Sequence, residues 1–152
     1  MVCTFAGHRQ MMITGLSEQL FLQIEQLASE VGTITFMVGG HGEFDSLCTA
    51  CVRRLKGKHP HRNISLCLVL PYMTNRLNTE GRVLAGMYDD IIFPSSCEQA
   101  HPKAAIVRRN RWMVDQADVV IACVRRDFGG AYQTVRYAQK KGKRVIFLTN
   151  GA

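Results

Sequence analysis

The sequence has 152 residues, of which 47% are hydrophobic and 20% are charged, and these proportions are ordinary for a globular protein. This length suits one domain with a sizeable core, so we expect residues 1–152 to form a single domain. No apolar run approaches the roughly 18 residues that a membrane span needs, and the N-terminal stretch MVCTFAGHRQ does not resemble a signal peptide. The sequence therefore predicts a cytoplasmic protein without a membrane partner.

The net charge is +7, and basic residues cluster at 53–62, 108–111, 125–126 and 136–144. Such charge favours phosphorylated small molecules or nucleic acid as partners, although solvated helix faces are the simpler interpretation of the first and last clusters. The six cysteines mostly lie within apolar runs, which indicates buried thiols in a reducing compartment. Cys48 and Cys51 form one CxxC without a second pair, so core packing is favoured over a zinc site. We expect no metal and no cofactor.

Short, continuously apolar runs alternate with helix-period segments along the chain. The apolar runs are typical of parallel strands covered on both faces, and they span 2–6, 33–38, 64–70, 90–93, 118–124 and 144–149. Helices are predicted at 16–31 with Ser17 as a cap, 44–55, about 79–87, 104–117 with Asn110 on the apolar stripe, and 131–138. The alternation predicts an α/β fold with a doubly wound, mainly parallel sheet of about six strands and helices on both faces.

Polar residues concentrate in the loops that follow the strands. In an open parallel sheet, ligands bind beyond the carboxyl ends of the strands, near the point where strand order reverses. Gly7, His8 and Arg9 follow the first predicted strand, the sequence GGHGEFD follows the second, and RRDFGGAYQT follows the fifth. His8 is therefore a candidate ligand contact, with a bond to the local backbone as the alternative.

The first glycine-rich loop has the strand–glycine–helix form that lets backbone N–H groups approach a phosphate at the positive end of a helix. Gly39, Gly40 and Gly42 supply the glycines, and Glu43 and Asp45 follow them. These carboxylates could cap the helix, since its dipole stabilises negative charge there, or they could bind ribose hydroxyls or act on a water.

The second glycine-rich loop has the same form, with Gly129 and Gly130 opening a helix and Thr134 one turn further along. Neither loop is a Walker A motif or a complete G-x-G-x-x-G fingerprint, but both belong to the same predicted edge. Arg109 and Arg111 could clamp a phosphate or form surface ion pairs, while Asn110 is either a buried anchor or a pocket residue. Together these features predict an anionic ligand.

Five segments together resemble the YpsA-like family of the SLOG superfamily, which is named for the DNA-processing Smf proteins and the plant LOG enzymes. They are CTFAGHR, GGHGEFD, VLPY, RNRWMVDQADVVIACV and GGAYQTVRYAQKKGKRVIFL, and they cover nearly the whole chain in the family's order. The resemblance implies a Rossmann-like fold whose glycine loops bind a nucleotide or a nucleotide-derived ligand. By analogy with the superfamily it also implies a homodimer.

The LOG enzymes cleave the base from a nucleoside monophosphate, using an arginine and a PGGxGTxxE loop that carries the catalytic glutamate. The resemblance aligns this arginine with Arg109 or its neighbourhood, and the loop with Gly129, Gly130 and, after one extra residue, Thr134. Arg136 and Tyr137 stand near the position of the glutamate. The LOG reaction by the same residues is therefore not implied.

Three functions follow from these features. The first is binding of a phosphoribosyl or ADP-ribose-like ligand with hydrolysis of N-glycosidase type, for which Glu43 or Asp45 would supply the carboxylate. The second is a non-catalytic nucleotide sensor, which the missing LOG glutamate favours. The third is single-stranded DNA binding in the manner of Smf proteins, for which the sequence shows no obvious aromatic stacking platform. We rank small-ligand binding first, leave catalysis open, and place nucleic acid last.

Overall fold

The computed structural model describes residues 1–9, 14–73 and 80–148. Within this part of the chain, all strands pair in parallel in a single six-stranded sheet. The strands are β1 (Val2–Gly7), β2 (Thr33–Val38), β3 (Asn63–Val69), β4 (Asp90–Ile92), β5 (Val119–Cys123) and β6 (Arg144–Phe147). The helices are α1 (Leu16–Glu30), α2 (Gly42–Lys58), α3 (Gly81–Met87), α4 (Pro102–Gln116) and α5 (Gly130–Lys140), with a 3-10 turn at Ser95–Cys97. The predicted doubly wound α/β fold is confirmed.

The predicted element boundaries differ from the structure by a few residues at most of the ends. Thr79, at which a helix was predicted to begin, and Thr149, at which a strand was predicted to end, lie outside the described residues. Ser17 does not cap α1, because it lies within the helix, whose N-cap residue is Gly15. The Ser17 hydroxyl instead lies 3.8 Å from the Cys51 Sγ atom, so it links α1 to α2.

The order of strands across the sheet is β4-β3-β2-β1-β5-β6. The chain builds outward from β1 to β4 on one side and then returns to place β5 and β6 on the other side of β1. Strand order therefore reverses between β1 and β5, and loops that leave the carboxyl ends of these two strands diverge to opposite faces. This crevice is the position at which a doubly wound sheet binds ligands.

Apolar side chains alternate between the two faces of the sheet. In β1, Cys3 and Phe5 pack into the core shared with α1 and α2, while Ala6 packs into the core shared with α4 and α5. Val120 and Ala122 of β5 face the second core with Ala6. Both faces of the central strands are thus covered, which explains why the strands read as continuous apolar runs.

All six cysteines are buried and none forms a disulfide. Cys48 and Cys51 pack in the core between α1, α2 and the sheet, as the sequence predicted. Among the described residues, no group of three or more His, Cys, Asp or Glu side chains could hold a metal ion. In the same part of the chain, no helix has the length and apolar character to cross a membrane.

Candidate functional site

A cavity of about 510 Å³ lies at the carboxyl edge of the sheet, where β1 and β5 separate. Its walls come from the end of β1, the start of α2, the inner side of α4 and the start of α5. The lining includes Gly7, His8, Arg9, Asp45, Arg109, Asn110, Gly130 and Thr134 from the predicted site, together with His41 and Arg126. The predicted residues Gly39, Gly40, Gly42, Glu43 and Gly129 are not part of this lining.

His8 connects the two strands at the point where they diverge. The side chain is only 7% exposed, and its Nε2 accepts a 3.0 Å hydrogen bond from the backbone N–H of Arg125. Burial, followed by the charges of Arg126 and Arg125, lowers the pKa of His8 below its ordinary value. The ring is therefore neutral at pH 7, and because Nε2 accepts, its proton resides on Nδ1. His8 thus bonds to the backbone after β5 rather than to its local backbone, and it lines the cavity, while its contact with a ligand stays a prediction.

Arg109 is a buried cation that holds the ends of three elements together. It is 3% exposed, and its Nη1 donates to the carbonyl oxygens of Gly39 at 2.8 Å and Val69 at 3.0 Å. These bonds fasten α4 to the carboxyl ends of β2 and β3. Burial lowers the pKa of Arg109, while the negative charge of Asp45 opposes that shift. An arginine with this many acceptors stays charged at neutral pH.

Asn110 lies on the side of α4 that faces the cavity, as do Ile106 and Met113 of the predicted stripe, but the fully buried polar residue of this helix is Arg109. Asn110 is partly buried at the cavity wall, and its Oδ1 accepts a 2.9 Å bond from the Nε of Arg109. The burial of a guanidinium is tolerated because backbone carbonyls and an amide oxygen satisfy its donors. Arg111, the other predicted phosphate clamp, is exposed and places its guanidinium 5.3 Å from the centre of the Tyr137 ring.

The glycines of the first loop are required by contacts within the protein. A Cβ on Gly39 would lie 2.7 Å from the Cζ of Arg109. Gly42 has a φ of +88°, and its Cβ would lie 2.7 Å from the Cα of Arg9. The N–H of Glu43 donates to the Arg9 carbonyl at 2.8 Å, which closes this loop onto the end of β1. These glycines therefore allow the loops to approach each other and Arg109 to enter the space beside them.

The two predicted carboxylates have different environments. Asp45 lines the cavity, and its Oδ2 accepts a 3.1 Å bond from the backbone N–H of His41 at the start of α2. Burial raises the pKa of Asp45, against the opposing effects of the His41 N–H and the Arg109 charge. Glu43 lies in the first turn of α2, where its side chain is exposed and outside the cavity lining. Asp45 thus makes a cap-like contact at the helix start while its carboxyl group belongs to the cavity wall.

The second glycine loop is open on the side of the cavity. Gly129 precedes α5 with a φ of +93°, and no side chain caps the first turn of this fully described helix. A Cβ on Gly130 would meet nothing within 4 Å, and Gly130 lines the cavity together with Ala131. The Thr134 hydroxyl donates to the Gly130 carbonyl at 2.8 Å. The positive end of α5 therefore faces the cavity without a capping side chain.

The charge of the cavity is strongly positive. Arg9, Arg109 and Arg126 line it, whereas Asp45 is the single carboxylate among the lining residues in the described part of the chain. His41 and Arg126 were missed as site residues, although both lie inside the loops that the sequence singled out. The strand and glycine patterns of the sequence predict where a loop lies, but they do not predict which of its side chains line the cavity.

A second hollow, a groove of about 900 Å³ between α4 and α5, adjoins the cavity. The two share Ile106, Asn110, Gly130 and Thr134 as lining residues. The groove also carries Arg111, Arg136 and Lys140. Space for a ligand that extends beyond the cavity is therefore present along the two helices.

Comparisons with known proteins gave matches among solved structures. No protein-family model matches the sequence, and no curated protein sequence matches it. DNA processing protein A (DprA) from Streptococcus pneumoniae superposes with a TM-score of 0.70 at 15% identity, over 97% of this chain and 50% of that one. DprA from Helicobacter pylori gives 0.68 at 17% identity, over 98% and 65% of the two chains. The protein TM1055 gives 0.60 at 15% identity, over 95% and 71%.

These matches decide the architecture. The chain has the Rossmann-like fold that the resemblance to the SLOG superfamily implied. It spans half the length of the pneumococcal DprA chain and 65% of the H. pylori one. At this level of identity the likeness shows the fold alone, so the YpsA-like branch stays a prediction.

Proposed function

We propose that the protein binds a nucleotide or a nucleotide-derived anion, such as a phosphoribosyl or ADP-ribose-like molecule, in the cavity between β1 and β5. The observation that supports this most directly is the uncapped start of α5, which opens onto a cavity lined by three arginines and one carboxylate. A helix N-terminus with nearby guanidinium groups is a favourable environment for a phosphate. A volume of about 510 Å³ is in the range of small-molecule pockets.

Different residues of the cavity would contact the phosphate and the sugar of the ligand. The phosphate would bind at Gly130 and Ala131, where backbone N–H groups can come close because Gly130 has no side chain and open space around it. Arg126, from the loop after β5, would contact the same group. The Nδ1–H of His8 and the amide of Asn110 would then contact the sugar hydroxyls.

Any hydrolysis would depend on Asp45. Its raised pKa and its place in the wall suit a group that exchanges protons with a water, whereas the exposed Glu43 lies outside the lining. In such a reaction the water oxygen bonds to the anomeric carbon, the glycosidic bond breaks, and the base leaves with a proton. Asp45 would accept the proton from the water and then return it, through solvent, to the leaving base, so that one water is consumed and Asp45 is regenerated. A non-catalytic sensor would use the same cavity without this step.

The test is ligand binding and base release with a panel of AMP, GMP, CMP, UMP, ADP-ribose and NAD. We expect a thermal shift with at least one of them, and loss of that shift in Arg126→Glu. Arg62→Glu is the matched control, since Arg62 is exposed and precedes β3 at the opposite edge of the sheet. Asp45→Asn should keep binding and abolish any base release. Absence of a shift with every member of the panel would overturn the proposal.

Single-stranded DNA is a second candidate, because one of the two matching DprA structures is described by its single-stranded DNA binding mode. The basic residues Arg125 and Arg126 beside the cavity suit such a ligand. Anisotropy of a labelled oligothymidylate across a salt series separates the candidates, since DNA binding through phosphates weakens steeply with salt. Analytical ultracentrifugation of the same samples tests the predicted homodimer.

A further inference from the structure

Phe128 is an exposed aromatic residue in contact with Arg126, one of the residues that line the cavity. It lies in the loop between β5 and α5, and it is 62% exposed. Arg126, two residues before it, and Gly130, two residues after it, both line the cavity. The backbone of Phe128 therefore lies between two residues of the cavity lining.

The Phe128 ring also lies against the guanidinium group of Arg126. The Arg126 guanidinium carbon lies 4.8 Å from the centre of the Phe128 ring, which is a cation–π distance. The Nη2 of Arg126 is 3.5 Å from the position of a Cβ on Gly129, so the same guanidinium borders the start of α5. One arginine thus touches the aromatic ring, the helix start and the cavity. Scattered exposed apolar residues need no explanation, but this placement sets Phe128 apart from Leu22 or Val83, which are exposed on helix surfaces.

In a nucleotide the sugar joins the phosphate to the base, so a bound phosphate brings the base close to the phosphate site. The cations and the helix start account for the phosphate, yet among the described lining residues the one benzene ring is that of Phe5, which is only 4% exposed. Phe128, on the loop that carries Arg126 and Gly130, supplies an exposed aromatic ring. Stacking on an aromatic face accepts any base, because every base has a π-face.

We propose that Phe128 is the base-stacking residue of the site, and that the ligand is therefore a base-bearing nucleotide rather than a sugar phosphate. This inference rests on the proposed function, because it assigns the second half of the same ligand. The sequence alone shows no obvious aromatic platform, because it does not reveal that Phe128 is exposed beside Arg126.

The test compares AMP with ribose 5-phosphate by isothermal titration calorimetry on wild type, Phe128→Leu and Phe128→Tyr. Removal of one stacked base contact should weaken AMP binding about tenfold in Phe128→Leu, with ribose 5-phosphate unchanged. Phe128→Tyr should retain the affinity for AMP, because the aromatic face is kept. Since the side chain is exposed, none of these changes removes core packing.

The outcomes separate this inference from the one on which it depends. If wild type binds neither ribose 5-phosphate nor any nucleotide of the panel above, the proposed function fails and this inference fails with it. If wild type binds both equally, or Phe128→Leu weakens both to the same extent, only the stacking role is overturned. A Phe128→Trp variant adds an independent readout, because a stacked adenine should quench its fluorescence while ribose 5-phosphate should not. Wild type, whose single tryptophan is Trp112, provides the background signal.

Discussion

The two glycine loops have the same strand–glycine–helix pattern but different surroundings. In the loop before α2, added Cβ atoms on Gly39, Gly40 and Gly42 would each come within 2.7 Å of another protein atom. In the loop before α5, a Cβ on Gly130 would meet nothing within 4 Å, and on Gly129 its nearest neighbour would be 3.5 Å away. The first loop is closed by the protein itself, and the second is open.

This difference shows that glycine has two functions in the same motif. In the first loop it makes room for Arg109 and for the backbone of Arg9, so it serves the assembly of the site. In the second loop it leaves the helix start uncovered at the cavity, so it serves the approach of a ligand. The following predictions test whether the first loop determines the stability of the fold and the second loop determines the binding of a ligand.

The largest effect is expected from removal of the side chain that closes the first loop. Arg109→Met leaves the carbonyls of Gly39 and Val69 without their donor and Asp45 without its nearby cation, so we expect a loss of about 3 kcal/mol in the free energy of unfolding. Urea denaturation measures it. Arg111→Met, on the exposed face of the same helix, should change stability by less than about 0.5 kcal/mol. Equal effects of the two changes would show that Arg109 does not organise the loop.

An intermediate effect is expected when one methyl group is added to each loop. Gly39→Ala places a Cβ against the Arg109 guanidinium and should destabilise the fold by about 1–3 kcal/mol. Gly130→Ala meets open space, so its effect on stability should be less than about 0.5 kcal/mol, while its affinity for AMP should fall. Thermal unfolding and calorimetric titration of both variants provide the comparison. A stable Gly39→Ala protein would contradict the distinction between the loops.

The smallest effect concerns pH and the junction between β1 and β5. The pKa of His8 is below the ordinary value of about 6.5, so the unfolded chain takes up the proton first as pH falls. Stability should therefore decline as pH drops below about 6.5, and it should be unaffected by this group above that value. His8→Gln keeps an acceptor for the Arg125 N–H without a titrating ring. Denaturation at pH 7.5 and 5.0 should show a smaller decline for the variant than for wild type, and an equal decline would refute the assignment.

The fold was predictable because its signals are local. Continuous apolar runs such as 33–38 and 64–70 indicate strands covered on both faces, and the alternating helix stripes leave few other architectures. The carboxyl edge was predictable for the same reason, since parallel strands place all their following loops on one side. His8, Asp45 and Gly130 were named from that argument alone, and the structure brings them to one cavity.

The interior of the site was less predictable because it depends on pairings between distant residues. The sequence named Arg109 as a phosphate clamp or a surface ion pair, but the side chain is buried and its charge is satisfied by the carbonyls of Gly39 and Val69 at the carboxyl ends of β2 and β3. Sequence periodicity cannot reveal such acceptors. Likewise, both loops have the same strand–glycine–helix pattern, so the sequence does not show that the glycines of the first loop are packed against other atoms and those of the second are not.

The six buried thiols have a practical consequence for the study of this protein. Burial raises the pKa of each of them, so the native thiols should be almost inert toward alkylating reagents. They are distributed over β1, α2, β3, the 3-10 turn and β5, so each one reacts only when its own element opens. Mass spectrometry after timed alkylation would thus rank the elements by the frequency of their opening. The wild-type chain carries its own set of reporters on local unfolding.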